Sequence, residues 1–212
     1  METELLRIFD DKGRPSGTAD RSKVHKAGLW HEAFHCWLVS YEKDRHYIFL
    51  QKRSDRKKDY PGLYDITAAG HLLAHETIED GVREVREELG IVTELADLVP
   101  MGVIKYEVIK EEQCFIDREI AHQYLYEGDF PYASFKLQRE EVSGMVKAEW
   151  NSFYEFCTGM QDSFYAEGFE EDAEGMRREV SKNLGRADLV SHDSSFYQTV
   201  ARLIRNHLKT RS

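Results

Sequence analysis

The sequence predicts an α/β fold in which a mixed β-sheet is flanked by helices. Strand patterns outnumber helical patterns before residue 79, and helical patterns dominate near the C-terminus. Separated runs of this kind are typical of a sheet covered by helices. The 212 residues, 41% of them hydrophobic and 12% aromatic, indicate a packed globular chain with room for one core and a helical extension.

Strand candidates follow one another along the first three quarters of the chain. The segment ELLRIFD and the turn cluster DKGRPSGTAD predict an edge hairpin. Bulky apolar residues in HEAFHCWLVSYEKD and RHYIFLQKRS predict two further strands, and ITAAGHLL predicts a short one. MGVIKYEVI and REIAHQYLYEGD are two more strand candidates, and VKAEWNSFYEFCTG predicts a strand that turns into a short helix.

The first long helix is predicted over residues 79–89. Val82, Val85 and Leu89 recur at spacings of three and four, which is the apolar stripe of an amphipathic helix. Gly90 follows at the position where a glycine commonly ends a helix.

The C-terminal part of the chain is predicted to be helical. FEEDAEGMRREVSKNLGR is polar, and SSFYQTVARLIRNHLKTRS is amphipathic, with Ser194 or Ser195 as its N-cap. We therefore expect a domain of residues 1–158, which includes the N-terminal hairpin, and a helical extension of residues 159–212 packed on the same domain. The last helix can close over a pocket or form a homodimer interface, and the sequence leaves both open.

The charge balance excludes several classes of partner. A net charge of −10 argues against a nucleic-acid polymer or an anionic membrane, because such partners need clustered Lys and Arg. No apolar run approaches the ~20 residues of a membrane-spanning helix. The segment METELLRIFDDKG is acidic, unlike a signal peptide. We expect a cytoplasmic protein.

Three cysteines, Cys36, Cys114 and Cys157, are spaced too irregularly for a disulfide framework or a zinc site. We expect them to be reduced and mostly buried, since a free cysteine usually behaves as a small hydrophobic residue.

Three glutamates share one face of the predicted helix. Glu84, Glu87 and Glu88 lie at positions i, i+3 and i+4, so their carboxylates repel one another unless a cation is present. Mg²⁺ prefers carboxylate oxygens and keeps water or phosphate as its other ligands. The alternative is an exposed acidic face whose charges are offset by Arg83 and Arg86.

The order of residues around this helix resembles the Nudix box, G-x5-E-x7-R-E-U-x-E-E-x-G-U, in which U is aliphatic. The segment GHLLAHETIEDGVREVREELGI matches it with one departure, because six residues rather than seven precede Arg83. Two registers remain open for the first half: Gly70 with Glu76, or Ala69 with His75. We prefer the first, since it keeps both residue types of the pattern.

The resemblance implies a Nudix α/β/α sandwich with a mixed sheet. It also implies hydrolysis of a nucleoside diphosphate derivative or a related small-molecule diphosphate, with Mg²⁺ or Mn²⁺ as the cofactor. By the same resemblance Glu84 and Glu88 bind the metal directly, Glu87 joins through metal or water, and a backbone carbonyl at Gly70 completes the set.

A second resemblance, over roughly residues 5–155, is to the isopentenyl-diphosphate isomerases of the Nudix family. The segments HEAFHCWLVS, RKKDYPGLYDITAAGH and DREIAHQYLY carry it. In those isomerases three histidines and two acidic residues hold a metal. The matching positions are His31 and His71, with His25 one residue out of spacing, together with the acidic pair Asp117 and Glu119. Ordinary strand-edge histidines are the alternative.

One residue separates this chain from the isomerases. They carry their catalytic cysteine immediately before the matching Gly-His, where this chain has Ala69. An alanine cannot move a proton to or from an allylic carbon. Cys36 is the one cysteine that we expect to be able to approach this position in space. Isomerisation is therefore our second hypothesis, and a non-catalytic phosphate-binding module is the third.

For hydrolysis, Glu87, Glu88 and Glu119 are the catalytic candidates. Glu119 is interpreted as a further metal ligand or as the general base. Lys52 and Arg53 are candidate contacts to the terminal phosphate, and the alternative for both is a solvated basic loop.

Overall fold

The computed structural model describes residues 4–110, 112 and 115–210. Within these residues the chain forms eleven strands and four α-helices. The strands are β1 (Leu5–Phe9), β2 (Pro15–Asp20), β3 (Trp30–Glu42), β4 (Arg45–Arg53), β5 (Tyr64–Asp65), β6 (Ala68–His71), β7 (Val99–Lys110), β8 (Phe115–Glu127), β9 (Val142–Glu149), β10 (Ser163–Glu171) and β11 (Arg177–Gly185). The helices are α1 (Arg21–Ala27), α2 (Arg83–Leu89), α3 (Trp150–Cys157) and α4 (Ser194–Lys209).

All described strands join one mixed sheet, as the sequence predicts. Its main path runs β11-β10-β9-β4-β3-β1-β2, with β5 on β4, β6 on β3, and β7 on β8. The strand β3 is central because it pairs with β1, β4, β6 and β8 along its length. The β3–β8 pairing is parallel and sets Glu119 beside His31 and Gln123 beside His35. Two of the predicted site segments are thereby brought together.

The alternation of side chains along β3 divides the core into two layers. Trp37 and Val39 face one layer, whereas Phe34 and Leu38 face the other. The first layer is covered by α3 and α4, and the second is covered by α2. Helices therefore lie on both faces of the sheet, which confirms the predicted α/β/α sandwich.

The helical prediction for FEEDAEGMRREVSKNLGR is wrong, because residues 163–185 form the antiparallel hairpin β10–β11. The strand β10 pairs with β9 and so continues the same sheet. Phe164 and Ala166 are buried while Ser163 and Tyr165 are exposed, which is the two-residue period of a strand. The predicted helical extension of residues 159–212 is therefore corrected to a hairpin followed by one helix.

The last helix, α4, is present as predicted, but its N-cap is Asp193 and not a serine. The carboxylate of Asp193 accepts a hydrogen bond from the Ser195 backbone N–H at 2.7 Å. The apolar face of α4, including Phe196, Val200 and Ile204, is buried in the core of its own chain. That face is consequently not available for a homodimer interface.

The short helix α1 lies between the hairpin β1–β2 and β3 and was not predicted. It ends at Gly28, whose φ of 63° is left-handed. A side chain there would meet Ile116, because an added Cβ would lie 2.7 Å from its Cγ2. Through this tight contact with β8, α1 brings His25 over the sheet.

Cys36 and Cys157 are buried free thiols, as expected, and Cys114 lies outside the described residues. None of the described helices combines the length and the hydropathy needed to span a membrane.

Candidate active site

A cavity of about 570 Å³ opens where β3, β6 and β8 meet the loop that leads into α2. Acidic, histidine and basic side chains line it together. Its charged and titratable lining comprises Glu4, Arg21, His25, His35, Arg53, Lys57, Asp59, Tyr60, Asp65, His71, Glu76, Arg83, Glu84, Glu87, Glu88, Tyr106, Asp117, Glu119, Glu141 and His192. Nearly every residue that the sequence singled out therefore meets at one place.

The contacts of Arg83 bear on which residues before α2 match the first half of the box pattern. Its Nε and Nη2 bond the Glu76 carboxylate at 2.6 and 3.0 Å, and the Leu73 N–H donates to the same carboxylate at 2.8 Å. His75 is exposed. These contacts favour the preferred assignment of Gly70 and Glu76, and a 3₁₀ turn over residues 80–82 lies in the shortened loop.

Gly70 is required by the close approach of Glu84. A Cβ built on Gly70 would lie 2.1 Å from Glu84 Oε1, well inside van der Waals contact. The missing side chain leaves room for the carboxylate against the backbone of β6. Gly70 of β6 and Glu84 of α2 are consequently packed directly against each other.

Two of the three helix carboxylates are buried in the cavity wall. Burial raises the pKa of Glu84 to about 7 against the opposing effect of Arg83, which bonds it at 2.5 Å, and the charge of Glu87 adds to the rise. Burial, with the charge of Glu84, also raises the pKa of Glu88 well above its ordinary value. Glu87 is more exposed and bonds Arg83 at 3.2 Å.

These carboxylates fit a divalent cation better than they fit a solvated helix face. Glu88 Oε2 accepts from the Gln51 amide at 3.2 Å and from the Ala69 N–H at 3.1 Å, which fixes its direction without neutralising its charge. A buried carboxylate with a raised pKa lacks a counter-charge, and a hard cation such as Mg²⁺ supplies one. Arg83 is shared among three glutamates and cannot neutralise them all.

A second cluster consists of His25, His31, His71 and Asp117, of which all but the fully buried His31 line the same cavity. One potential ligand atom from each lies within 4.8 Å of all the others. His25 Nε2 and His31 Nε2 each lie 3.5 Å from Asp117 Oδ1. Burial, with His71 adding to it, lowers the pKa of His31 to about 4, so this imidazole is neutral at pH 7.

The chemistry of this second cluster also fits a metal ion. Among the described residues, the buried side-chain atoms that lack a hydrogen-bond partner include His25 Nε2, His31 Nε2 and Asp117 Oδ1. Three converging buried atoms without partners are costly unless something binds between them. Neutral imidazole nitrogens with a carboxylate oxygen are a suitable donor set for Mn²⁺ or Zn²⁺.

Glu119 lies between the two clusters on β8. Its Oε2 accepts from the Tyr106 hydroxyl at 2.5 Å and lies 3.1 Å from His35 Nε2, while its Oε1 faces His71 Nε2 at 3.8 Å. Burial opposes its ionisation, but the hydrogen bond from His35, together with the nearby His71, holds its pKa well below the usual range. It is therefore a carboxylate at neutral pH.

Only one of the two predicted phosphate contacts reaches the cavity. Arg53 lines it, whereas the Lys52 ammonium forms an ion pair with Glu170 at 2.8 Å, away from the cavity lining. Neighbouring residues of β4 point to opposite faces, so they cannot both face the site. Lys57 and Arg21 also line the cavity and were not singled out from the sequence.

The segment before α4 contributes a further pair that the sequence did not reveal. His192 Nε2 lies 2.9 Å from Asp65 Oδ1, and Arg53 Nη1 bonds Asp65 Oδ2 at 3.1 Å. Both His192 and Val190 line the cavity. They are distant in sequence from every motif, so only the folded chain places them there.

Neither of the two described cysteines takes the place of the missing isomerase cysteine. Ala69 pairs with His35 across β3 and β6, on the face that lines the cavity. Cys36, the next residue along β3, points to the opposite face and packs in the second core layer. Burial raises the pKa of its thiol far above the ordinary value. Cys36 does approach Ala69 in space, since it pairs with the adjacent Ala68, but its thiol lies on the other face of the sheet.

The chain belongs to the Nudix family, since the NUDIX domain model matches residues 29–165. It is 41% identical over 204 residues to an uncharacterised Nudix hydrolase of Clostridium acetobutylicum, an alignment that covers 96% of this chain and 98% of the relative. Family membership supports a pyrophosphohydrolase, the class of enzyme that the Nudix box implied.

Other relatives include the second group noted in the sequence. An isopentenyl-diphosphate Delta-isomerase of Mycolicibacterium vanbaalenii is 36% identical over 118 residues, which cover 52% of this chain and 64% of the relative. Among solved structures, one from Deinococcus radiodurans covers 74% of this chain and 90% of its own, at 17% identity with a TM-score of 0.55. A MutT/nudix family protein of Enterococcus faecalis gives a TM-score of 0.51 at 15% identity, over 82% of this chain and 62% of its own.

Proposed function

We propose that this protein is a divalent-metal-dependent hydrolase that cleaves the diphosphate linkage of a small molecule. The observation that carries the proposal is the burial of Glu84 and Glu88 in a cavity that Arg53 and Lys57 also line. Carboxylates that hold a cation and basic groups that bind phosphate are the two halves of a diphosphate site.

The residues divide into two metal sites within the one cavity. Glu84 and Glu88, with Glu87 at the more exposed edge and the Gly70 carbonyl, would hold Mg²⁺. The second site, of His25, His31, His71 and Asp117 with Glu119 beside it, would hold Mn²⁺ or a similar ion. When bound, such cations neutralise the charge that develops on the phosphate and lower the pKa of an attacking water.

The remaining groups of the cavity orient the substrate and move the proton. Arg53 is fixed by Asp65 and by the Asp59 carbonyl, to which its Nη2 donates at 3.0 Å, so its remaining donors are held towards a phosphate oxygen. Glu87 retains solvent contact and can accept the proton of the attacking water. The phosphorus–oxygen bond then breaks, and the leaving phosphate carries the negative charge.

The experiment that tests this proposal measures phosphate release from a panel of substrates. Nucleoside diphosphates and triphosphates, nucleotide sugars and prenyl diphosphates are each incubated with the metal-free protein, and with Mg²⁺ or Mn²⁺ added. We expect metal-dependent turnover of at least one of them. Absence of metal-dependent release from all of them would contradict the proposal.

A matched pair of variants separates catalysis from binding. Glu88→Gln should reduce turnover by roughly 10²–10⁴-fold, while Glu79→Gln, an exposed position that precedes the same helix, should leave it unchanged. A non-catalytic binding module would instead show ligand affinity without turnover in the unchanged protein.

Isomerisation of a prenyl diphosphate is the second candidate, favoured by the histidine cluster and by Glu119 with Tyr106. Ala69 argues against it, because no thiol faces the cavity at that position. Incubation with isopentenyl diphosphate in deuterium oxide decides the matter. Incorporation of deuterium at the allylic carbon would favour isomerisation, and its absence together with phosphate release would favour hydrolysis.

A further inference from the structure

A chain of buried hydrogen bonds runs from the core of the sheet to Glu119. Trp37 Nε1 donates to Gln123 Oε1 at 3.0 Å, and Gln123 Nε2 lies 2.9 Å from His35 Nδ1. His35 Nε2 then lies 3.1 Å from Glu119 Oε2. All of these side chains are buried.

Strand geometry explains why these side chains meet. His35 and Trp37 are two residues apart on β3, and Glu119 and Gln123 lie four apart on β8, so within each strand they point to one face. The parallel register pairs His35 with Gln123. The chain of hydrogen bonds is thus a row of side chains on the sheet face that ends at the cavity.

The direction of each hydrogen bond follows from the Trp37 end of the row, where the donor is fixed. An indole N–H can only donate, so the Gln123 atom facing Trp37 is the carbonyl oxygen and the amide nitrogen faces His35. The Ala121 carbonyl, 3.4 Å from the same nitrogen, agrees with this orientation. His35 Nδ1 must therefore accept, and the imidazole proton resides on Nε2, from which it is donated to Glu119.

We infer that His35 is a positioning residue for Glu119. Gln123 and Trp37 hold His35 as the Nε2–H tautomer, and this N–H orients Glu119 so that only Oε1 faces the cluster of His25, His31, His71 and Asp117. Oε2 is occupied by two donors, His35 and Tyr106, and only Oε1 is left towards His71. Glu119 is on this basis a one-oxygen ligand and not a free general base. The role of Glu119 as a metal ligand rests on the proposed function, whereas the tautomer of His35 does not.

The tautomer is tested by ¹⁵N NMR of the imidazoles in the metal-free protein. We expect Nδ1 of His35 to give a pyridine-type resonance and Nε2 a pyrrole-type resonance. The reversed pattern, or a pair of equivalent protonated nitrogens, would overturn the inference. This measurement needs neither substrate nor turnover.

The role of His35 is tested by titrating Mn²⁺ into metal-free variants by calorimetry. His35→Leu should weaken binding by about 10- to 100-fold, as is usual when a group that orients a metal ligand is removed. His35→Gln, which can place an N–H donor near the position of Nε2, should restore most of the affinity. Trp150→Phe, a buried aromatic change outside this row, serves as the control for loss of packing.

Three results would contradict the role of His35: no Mn²⁺ binding by the unchanged protein, equal affinities of that protein and His35→Leu, or equal losses in His35→Leu and His35→Gln. If the tautomer and the affinities are as expected but no diphosphate is cleaved, the proposed hydrolysis fails while the positioning role stands.

Discussion

At the scale of single residues, the fit between Gly70 and Glu84 can be tested directly. Gly70→Ala places a methyl group where the Glu84 carboxylate lies, so the carboxylate must move by an ångström or more. A displacement of that size in a catalytic site costs about 100-fold in rate. Turnover is the measurement, with circular dichroism to verify folding.

Gly185→Ala is the matched control for this substitution. An added Cβ there meets nothing closer than 3.5 Å, and its φ of −111° suits alanine. Equal activities of the two variants would show that Glu84 does not need the space.

The raised pKa of Glu84 predicts that this carboxylate destabilises the metal-free protein, although the proposed metal site needs it. Its pKa rises from 4.5 to about 7 on folding, so the folded state binds more protons between these pH values. The stability of the metal-free protein should therefore fall as pH rises through this window. Glu84→Gln removes the buried charge and should raise the free energy of unfolding at pH 8 by about 1–2 kcal/mol.

Denaturant melts at pH 5 and pH 8, with and without Mg²⁺, check this prediction. Mg²⁺ should stabilise the unchanged protein at pH 8 and have little effect on Glu84→Gln. A variant that is less stable at pH 8 and equally stabilised by Mg²⁺ would show that Glu84 is held by Arg83 alone.

At the scale of elements, Glu170 links the hairpin β10–β11 to the rest of the sheet through ion pairs and a hydrogen bond. Its carboxylate bonds Lys52 at 2.8 Å, Lys182 at 2.7 Å and the Tyr64 hydroxyl at 3.0 Å. Burial opposes ionisation, yet the hydrogen bonds from Lys182 and Lys52 lower its pKa from 4.5 to about 2. The contribution of Glu170 to stability should be complete above pH 4.5 and be lost as pH falls towards 2.

Glu170→Gln should therefore lower the free energy of unfolding by about 1–2 kcal/mol at pH 7, and by roughly half of that or less at pH 3. Urea unfolding at the two pH values measures the difference. Glu167→Gln, on an exposed position of the same strand, should stay within about 0.5 kcal/mol of the unchanged protein. A pH-independent loss would mean that packing, and not the ion pairs, is responsible.

The helices and strands also show where local sequence patterns were sufficient to predict the structure. The apolar stripe of α2 was legible because burial on one face imposes a period on the sequence. The strand β3 was legible from its run of bulky apolar residues, which are buried on both faces of the sheet. The hairpin β10–β11 was misassigned because its exposed strand β11 is almost uniformly polar. A polar segment has no hydrophobic period, so the structure of β11 is decided by its pairing with β10, which is itself paired with β9.

At the scale of the whole molecule, residues 159–212 share the sheet and the core of the preceding residues. The hairpin continues the sheet through β9, and α4 shares a core layer with β3, β4 and α3. We predict one cooperative unfolding transition, coincident when followed by near-ultraviolet and far-ultraviolet circular dichroism. Two separated transitions would contradict a single cooperative unit.

The sequence by itself determined the glutamates of α2 and the resemblance to the family, which in turn implied the α/β/α sandwich. These depend on residues close together in the chain, where spacing translates directly into position on a helix or strand. It also indicated His31 and His71 through resemblance. Their convergence with His25 and Asp117, however, depended on the fold.

Only the tertiary structure decided which residues share the cavity and which face they present. It selected Arg53 over Lys52, placed Lys57 and His192 in the wall, and turned Cys36 away from Ala69. The physical reason is that these relations join segments far apart in sequence, through strand register and through the side of the sheet to which each side chain points. Neither is encoded in a local pattern, because both arise when distant strands pair.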